Sequence, residues 1–215
     1  MKGPFRADHV GSLLRPTSLL EKREEWKAGK VSEAILRNYE NECIAEIVKR
    51  EQEVGIVAIT DGEFRRESFH FDFINKIRGI ETNFTLKGAF EQGEKTKAGG
   101  EKMVPLTVKI KDRMSLPSEG IGVENFKYLA SVAEESATPK VTMPSPTMTH
   151  FRGGREAISR DAYPEMGLFF ADLSALYRQE INLLASAGCK YIQFDDTNLA
   201  YLCDTKMRQD ARDRG

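Results

Sequence analysis

Carboxylates follow two apolar segments of this 215-residue chain, each of which reads as a buried β-strand. Asp61 and Glu63 come after GIVAIT, and Asp195 and Asp196 come after YIQF. A carboxylate at the end of a buried strand can hold an ammonium group or act as a general base. Because side chains alternate along a strand, we expect Asp195 to point into a site and Asp196 to point away, where it could cap a helix. We expect the same inward role for Glu63, whereas Asp61 could equally pair with a neighbouring arginine.

A short turn with a glycine and a hydroxyl follows the first predicted strand. It consists of His9, Val10, Gly11 and Ser12. Gly11 permits close approach of the backbone to a ligand, and Ser12 adds a hydroxyl and an N–H, so the turn could hold a carboxylate through backbone donors. The alternative is that Ser12 only caps the turn. Together with Glu63 and Asp195, the turn would form a receptor for an α-amino acid, with the two acids on its ammonium group.

The loop after the fourth predicted strand contains two further candidates. His150 could ligate a metal, move a proton or only form a hydrogen bond, and a lone histidine is more often structural. His9, in the first turn, is the other histidine candidate. Phe151 could stack on a flat heteroaromatic ring or simply pack against neighbours.

Strand-like and helical segments alternate along the chain. Strands are expected at Pro4–Asp8, Val57–Thr60, Val104–Lys111, Lys140–Pro144 and Lys190–Phe194. Hydrophobic periodicity predicts helices over residues 17–29, 32–54, 123–136 and 164–187, with a brief one over 70–78. This order predicts an α/β fold of the (β/α)8 TIM-barrel type, whose active sites gather at the C-terminal ends of the strands. The competing architecture, a doubly wound open sheet, usually has a glycine-rich phosphate loop after its first strand, and HVGS does not supply one.

The length predicts that this barrel is incomplete. Eight βα units take about 250 residues, whereas the chain has 215 and uses some of them for an insertion. Residues 79–102, with their alternation, glycines and charges, are expected to form this hairpin and loop insertion. No break in composition divides residues 1–215, so we expect a single domain of about five βα units.

Composition argues against several functional classes. The 32 basic and 33 acidic residues give a net charge of −1, which does not favour a nucleic-acid partner. No apolar run approaches the roughly 20 residues that span a bilayer, and the first residues lack the apolar core of a secretory signal, so we expect no membrane association and a cytoplasmic location. The three cysteines are too few and too far apart for a disulfide framework or a CxxC metal site.

Several motifs, taken in order, resemble a known family. RADHVGSLLRP, TDGEFRRESFHFDF, PSPTMTHF and YIQFDDTNLA are similar to motifs of the cobalamin-independent methionine synthase family, above all of its short bacterial branch of methyltetrahydropteroyltriglutamate–homocysteine methyltransferase-like proteins. The resemblance runs from Phe5 to Leu202. It implies a barrel that transfers a methyl group from N5-methyltetrahydrofolate to the thiol of homocysteine and forms methionine. Zinc, which the resemblance also implies, holds such a thiol as the nucleophilic thiolate.

The resemblance also assigns roles to individual residues. Val10, Gly11 and Ser12 match the turn that binds the homocysteine carboxylate in the family. Glu63 and Asp195 match the two acids that meet the amino group. Phe151 stands where the full-length enzymes have a tryptophan near the folate, so it is a possible stacking residue.

The chain departs from the family pattern at its metal and folate sites. The zinc ligands (His-x-Cys, Glu and Cys) and the proton-donor histidine are expected beyond Gly215, so we predict no metal ligand and no catalytic residue within this chain. Glu101–Lys102 stands in place of an Arg-Cys pair that contacts folate, and Tyr201 in place of a folate-binding glutamate. Three alternatives therefore remain open: another thiol, another methyl donor such as a corrinoid protein, or a truncated non-catalytic homologue or subunit. Because an open barrel exposes strand edges, we expect an oligomer or pairing with a missing segment.

Overall fold

The computed structural model describes residues 7–83, 94–95, 101–102 and 107–213. The chain divides into two compact units, each made of segments that are distant in sequence. The first unit comprises Met1–Asp72, Ser118–Pro144 and Arg178–Asp195, and the second comprises Phe73–Pro117, Ser145–Tyr177 and Asp196–Gly215. The expectation of a single domain over residues 1–215 stays a prediction.

Most of the predicted elements form where periodicity placed them. The helices are α1 (Thr17–Lys27), α2 (Glu33–Glu53), α3 (Phe71–Ile74), α4 (Val123–Val132), α5 (Met166–Ser186), α6 (Asn198–Tyr201) and α7 (Thr205–Asp213). The strands are β1 (Ala58–Ile59), β2 (Arg78–Thr82), β3 (Glu94–Lys95), β4 (Glu101–Lys102), β5 (Val108–Ser115), β6 (Thr138–Pro144) and β7 (Tyr191–Asp195). Short 3₁₀ turns cover Pro146–Thr149 and Arg155–Ala157. None of the described helices is long and apolar enough to cross a membrane.

A parallel sheet of order β1-β6-β7 lies in the first unit. Strand β6 pairs in parallel with β1 and with β7, and Pro144 faces Asp195 at the C-terminal end of the second pairing. Parallel neighbours require crossover connections; helix α4 lies in the connection from β1 to β6, and α5 lies in the connection from β6 to β7. The fold is thus α/β and of the incomplete (β/α) barrel type that the sequence predicted, and the described strands form no closed sheet.

Helix α2 explains how the first unit is held together. Ser32 caps it by accepting the N–H of Ile35 at 3.3 Å. Its buried face repeats at every third or fourth residue, as expected for an amphipathic helix. That face consists of Leu36, Glu40, Ile44, Val48 and Glu51. The apolar members pack with Leu19, Ile59 and Phe64, and each such side chain stabilises the fold by about 1.5–3 kcal/mol.

The prediction that Val104–Lys111 forms the third strand of the barrel is wrong. Residues 104–106 lie outside the described residues, Thr107 is in no strand, and residues 108–111 belong to β5, which pairs antiparallel with β2. The reason is visible in the pattern VKIK, because alternating apolar and charged residues suit a strand with one exposed face rather than a barrel strand buried on both. Strand β6 is consequently the direct neighbour of β1.

Two other predicted segments lie largely outside the described residues. Of Pro4–Asp8, only Ala7 and Asp8 are described, and neither is in a strand. Of the insertion at 79–102, the described parts are the end of β2 and the antiparallel pair β3 and β4. Its boundaries stay a prediction.

Strand β7 has one neighbour, β6, among the strands that the structure describes. A strand edge with unpaired N–H and C=O groups is a template for another strand. The expectation of an oligomer, or of pairing with a missing segment, therefore stays a prediction, and light scattering on the purified chain would measure it.

Gly79 is the position in the second unit where an added side chain should do most damage. Arg78 pairs with Ser115 and Ile80 pairs with Ile110, so four residues of β5 bulge opposite Gly79. Its φ is +84°, and a Cβ would lie 2.6 Å from the carbonyl oxygen of Arg113. We expect Gly79→Ala to lower the free energy of unfolding by the left-handed penalty of about 1–2 kcal/mol plus at least about 1 kcal/mol of overpacking.

Gly29→Ala is the matched control for this substitution. Gly29 has a φ of +72°, but nothing lies within 4 Å of its Cβ position, so only the left-handed penalty applies. Urea unfolding of both variants would separate the two effects. Equal losses of stability would show that the close approach at Gly79 does not matter.

Candidate functional site

Glu63 is the centre of a polar cluster just beyond the end of β1. Its Oε2 accepts a hydrogen bond from Ser12 Oγ at 2.6 Å, and its Oε1 accepts one from Thr142 Oγ1 at 2.8 Å. The guanidinium of Arg66 lies 3.2 Å from the same Oε1. These donors belong to the turn before α1, to β6 and to the loop after β1. The carboxylate is therefore fixed from three sides, and the residue is only 1% exposed.

The backbone of Glu63 has a conformation that side chains rarely adopt. Its φ is +58°, the only positive value at a non-glycine residue among those described. Asp61 Oδ1 accepts its N–H at 2.9 Å, and Arg15 donates to its carbonyl at 3.0 Å. A strained residue persists where its surroundings over-determine it, and such residues cluster at functional sites. Asp61 thus holds the loop, and the alternative in which it pairs with an arginine is not seen, because Arg65 bridges to Glu40.

Asp195 lies at the C-terminal end of β7 in the same unit. Gln193 Nε2 donates a hydrogen bond to its Oδ1 at 2.5 Å. Burial raises the pKa of Asp195, and the negative charge of Glu63 raises it further, against the opposing effect of the Gln193 hydrogen bond. The two acids therefore interact electrostatically, and a cation near them would relieve their repulsion.

The neighbouring Asp196 belongs to the second unit and has different partners. Its Oδ1 accepts the N–H of Asn198, the first residue of α6, at 3.0 Å, although Thr197 is the capping position. Thr147 donates to the same carboxylate at 3.3 Å. Asp196 is thus satisfied locally, in line with the alternative considered for it.

The predicted carboxylate-binding turn is attached directly to the loop of Glu63. Besides the bond from Ser12, the N–H of Leu13 donates to the carbonyl of Gly62 at 3.1 Å. Gly11 has a φ of +84°, with nothing within 4 Å of its Cβ position. Val10 is 68% exposed. The turn is therefore anchored at one end and open above Gly11. The ring of His9 contacts the Gly11 carbonyl at 2.6 Å, inside the turn.

Sequence reasoning missed three residues that support this cluster. They are Lys140 and Thr142 on β6 and Gln193 on β7. Lys140 Nζ donates to Asp8 Oδ1 at 2.7 Å and to Gln193 Oε1 at 3.0 Å, and it also contacts the carbonyl of His9. The alternation that selects Asp195 also selects Gln193, two residues earlier on the same face, and it places Lys140 and Thr142 together on β6.

The remaining two candidates lie in the second unit. The ring of His150 packs edge-on against Phe169 and Phe170, with centroids 5.4 and 5.5 Å away. Burial lowers the pKa of His150, which favours a neutral, packed side chain. Phe151 stacks on Tyr201 with centroids 6.2 Å apart and an angle of 20° between the rings. These contacts favour a structural role for His150 and an aromatic surface at Phe151.

Zinc does not fit the residues that the structure describes. Within them, no group of three or more His, Cys, Asp or Glu side chains could hold a metal ion. Burial raises the pKa of the Cys43 and Cys189 thiols, which disfavours the thiolate that a metal needs. No chemical step is therefore derived through zinc.

Comparisons with known proteins agree on one family. Residues 5–213 match the family described as "Cobalamin-independent synthase, Catalytic domain". The chain is 37% identical over 214 residues to the uncharacterized protein YxjH of Bacillus subtilis (strain 168), covering 100% of this chain and 54% of that protein. It thus spans about half the length of this relative.

A solved structure and a more distant relative carry names that describe an activity. A crystal structure from Listeria monocytogenes, assigned as a vitamin B12-independent methionine synthase, matches with a TM-score of 0.76 and 34% identity, covering 95% of this chain and 55% of that one. The 5-methyltetrahydropteroyltriglutamate–homocysteine methyltransferase of Bacillus cereus (strain ZK / E33L) is 23% identical over 190 residues, covering 88% of this chain and 23% of that protein.

Proposed function

Because this chain belongs to the family of cobalamin-independent synthase catalytic domains, as its motifs predicted, we propose that it binds homocysteine for methylation to methionine. The proposed methyl donor is a methyltetrahydrofolate, as the name of the Bacillus cereus relative states for that protein. The part of this reaction that the described residues support is recognition of the amino-acid head of the acceptor.

The observation that carries the proposal is the fixed carboxylate of Glu63, whose negative charge acts on the acid of Asp195. An ionised carboxylate has about four lone-pair sites, and Glu63 uses some of them on Ser12, Thr142 and Arg66. An ammonium group brings three donors and a positive charge, so it can bond to both acids and offset their repulsion. The proposed ammonium site is therefore prepared before the ligand arrives.

The turn at Val10–Ser12 is the proposed site for the ligand carboxylate. The Ser12 hydroxyl is already bonded to Glu63, so the turn would offer backbone N–H groups above the open Gly11. The same serine joins the two halves of the head-group site. A ligand would thus be held by its ammonium and its carboxylate together, which limits the directions that its sulfur-bearing side chain can take.

The proposal ends at binding and orientation. In the family, zinc would hold the thiol of the substrate as its thiolate, and the described residues offer no site for zinc. Phe151, stacked on Tyr201, is the proposed contact for the ring of the methyl donor.

Calorimetry with amino acids would test the proposed function. We expect the chain to bind L-homocysteine and L-methionine, and to bind analogues that lack the amino or the carboxylate group much more weakly, because each analogue loses one charged contact. Tighter binding of L-cysteine or another thiol would move the function to a different acceptor. Absence of binding for every amino acid would refute a head-group site.

The raised pKa of Asp195 predicts that ligand binding depends on pH. In the free protein, burial and Glu63 hold that pKa above its ordinary value, and a bound ammonium group should lower it. Binding should then release a proton as the pH falls towards the carboxyl range, and affinity should decline in the same range. Calorimetry in two buffers of different ionisation enthalpy would measure the released proton. Asp195→Asn should abolish the release, and a release that persists in this variant would contradict the assignment.

A further inference from the structure

Lys140 is a buried cation in the middle of β6. Its side chain is 0% exposed. Lysine is almost never fully buried unless it is paired, because removal of its charge from water is costly. Here the three donors of the ammonium group have three acceptors: Asp8, Gln193 and the carbonyl of His9. Burying an apolar residue at this position would cost less hydration free energy than burying a lysine. The contacts of Lys140 therefore need an explanation.

One arm of Lys140 reaches the turn that is proposed to bind the ligand carboxylate. Asp8 lies two residues before Val10, and its other oxygen accepts a hydrogen bond from Tyr191 at 2.6 Å. Although burial acts to raise the pKa of Asp8, the hydrogen bonds from Lys140 and Tyr191 lower it, so Asp8 stays ionised. The contact with the His9 carbonyl fixes the backbone immediately before the turn.

The other arm of Lys140 reaches Asp195 through Gln193. Lys140 bonds to Oε1 of the Gln193 amide, so the Nε2 of that amide must face the other way. It donates to Asp195 Oδ1 at 2.5 Å. The opposite amide orientation would direct an NH₂ group at the ammonium of Lys140, which offers no acceptor. Lys140 thereby determines that Asp195 accepts a hydrogen bond from Nε2 of Gln193.

We propose that Lys140 is a positioning residue that sets the separation between the two ends of the amino-acid site. It holds the carboxylate-binding turn through Asp8 and His9, and it orients Asp195 through Gln193. This inference rests on the proposed function, since it assigns the two ends to a carboxylate and an ammonium group.

Two truncated ligands separate the two arms. 4-(Methylthio)butanoate keeps the carboxylate of methionine and lacks the amino group, and 3-(methylthio)propylamine keeps the amine and lacks the carboxylate. Both are thioethers, so their binding needs no thiolate. Their affinities and that of L-methionine would be measured by calorimetry or ligand-observed NMR for the unaltered chain and for Lys140→Met and Gln193→Leu.

The two variants should lose affinity for different sets of ligands, because Lys140→Met removes both arms and should weaken both truncated ligands, whereas Gln193→Leu removes only the arm that reaches Asp195. Lys140→Met should weaken 4-(methylthio)butanoate by about tenfold or more, because the turn loses its anchor and the Asp8 charge is left without its cation. Gln193→Leu leaves the contacts of Lys140 with Asp8 and His9 in place. It should weaken 3-(methylthio)propylamine by about fivefold and change 4-(methylthio)butanoate by less than about twofold.

Glu180→Gln controls for loss of stability. Glu180 is 0% exposed in the same unit and accepts the N–H groups of Ile121 and Gly122 at 2.9 and 2.7 Å. The variant should lower the unfolding temperature and leave all three affinities unchanged. If Lys140→Met does not fold, the selective effect of Gln193→Leu decides the question.

The outcomes separate this inference from the proposed function. If the unaltered chain binds L-methionine but both variants weaken all three ligands alike, the role of Lys140 is structural and the inference is wrong. The same holds if Lys140→Met folds and binds 4-(methylthio)butanoate within about twofold of the unaltered chain. If the unaltered chain binds none of the ligands, the proposed function itself fails.

Discussion

Replacing Glu63 with glutamine should weaken the binding of L-homocysteine and L-methionine by more than tenfold. A hydrogen bond to a charged group contributes about 1.5–3 kcal/mol, and the amide keeps the shape of the side chain without its charge. Ser12 and Thr142 donate to different oxygens of Glu63, so with glutamine one hydroxyl keeps its acceptor and the other can accept from the amide NH₂. Glutamine meets the positive φ of this position no worse than glutamate. The loss should therefore appear in affinity, which calorimetry measures directly.

Glu67→Gln is the matched control for this variant. Glu67 is four residues away, half-buried and paired with Lys27 at 2.9 Å, so it too loses an ion pair on substitution. It does not contact Glu63, and its substitution should leave amino-acid affinity as it was. Equal affinities in the Glu63→Gln variant and the unaltered chain would remove Glu63 from the site.

Glu51 should make the protein less stable as the pH rises from acidic to neutral. This buried acid at the end of α2 accepts the N–H of Thr60 at 3.1 Å and its hydroxyl at 3.3 Å. Burial raises the pKa of Glu51 to about 7, from an ordinary value of 4.5. Below the ordinary value both states are protonated, and between the two values only the unfolded state releases its proton. The free energy of unfolding should thus fall by about 2–3 kcal/mol over this range and level off above it.

Glu51→Gln should remove this fall, because the amide has no proton to lose and still offers an oxygen to the Thr60 N–H. Glu53→Gln changes an exposed acid in the same helical turn and should leave the pH dependence in place. Urea unfolding at a series of pH values would give both curves. A slope that survives in the Glu51→Gln variant would assign it to other groups.

Local patterns were sufficient for five of the seven described helices, α1 to α5, and for the position of the acids. The buried face of α2 could be predicted from the helical spacing of its apolar residues. Ser32, just before the helix, has the side-chain hydroxyl that is typical of an N-cap. Glu63 and Asp195 could be selected because each lies within three residues after an apolar β-branched or aromatic run, and the sequence motifs around them identified the family.

Local sequence patterns could not predict which strands pair with each other. The segment around Val108 reads as a strand in either arrangement, and its partner, β2, falls in the segment that was predicted to form a separate hairpin over residues 79–102. An alternation of apolar and polar residues indicates that one face of a strand is exposed, but it does not indicate which strand pairs with it. The described parallel sheet therefore does not contain the strand predicted around Val108, and β6 lies next to β1.

By itself the sequence determined the class of fold, the family and which strand ends bear acids, because these depend on residues close together along the chain. Only the tertiary structure decided which groups contact those acids. Ser12 reaches Glu63 across 51 residues, Thr142 reaches it across 79, and Lys140 reaches Asp8 across 132. Such bonds depend on how the elements pack, and a buried lysine or threonine looks in sequence like any other polar residue within a strand.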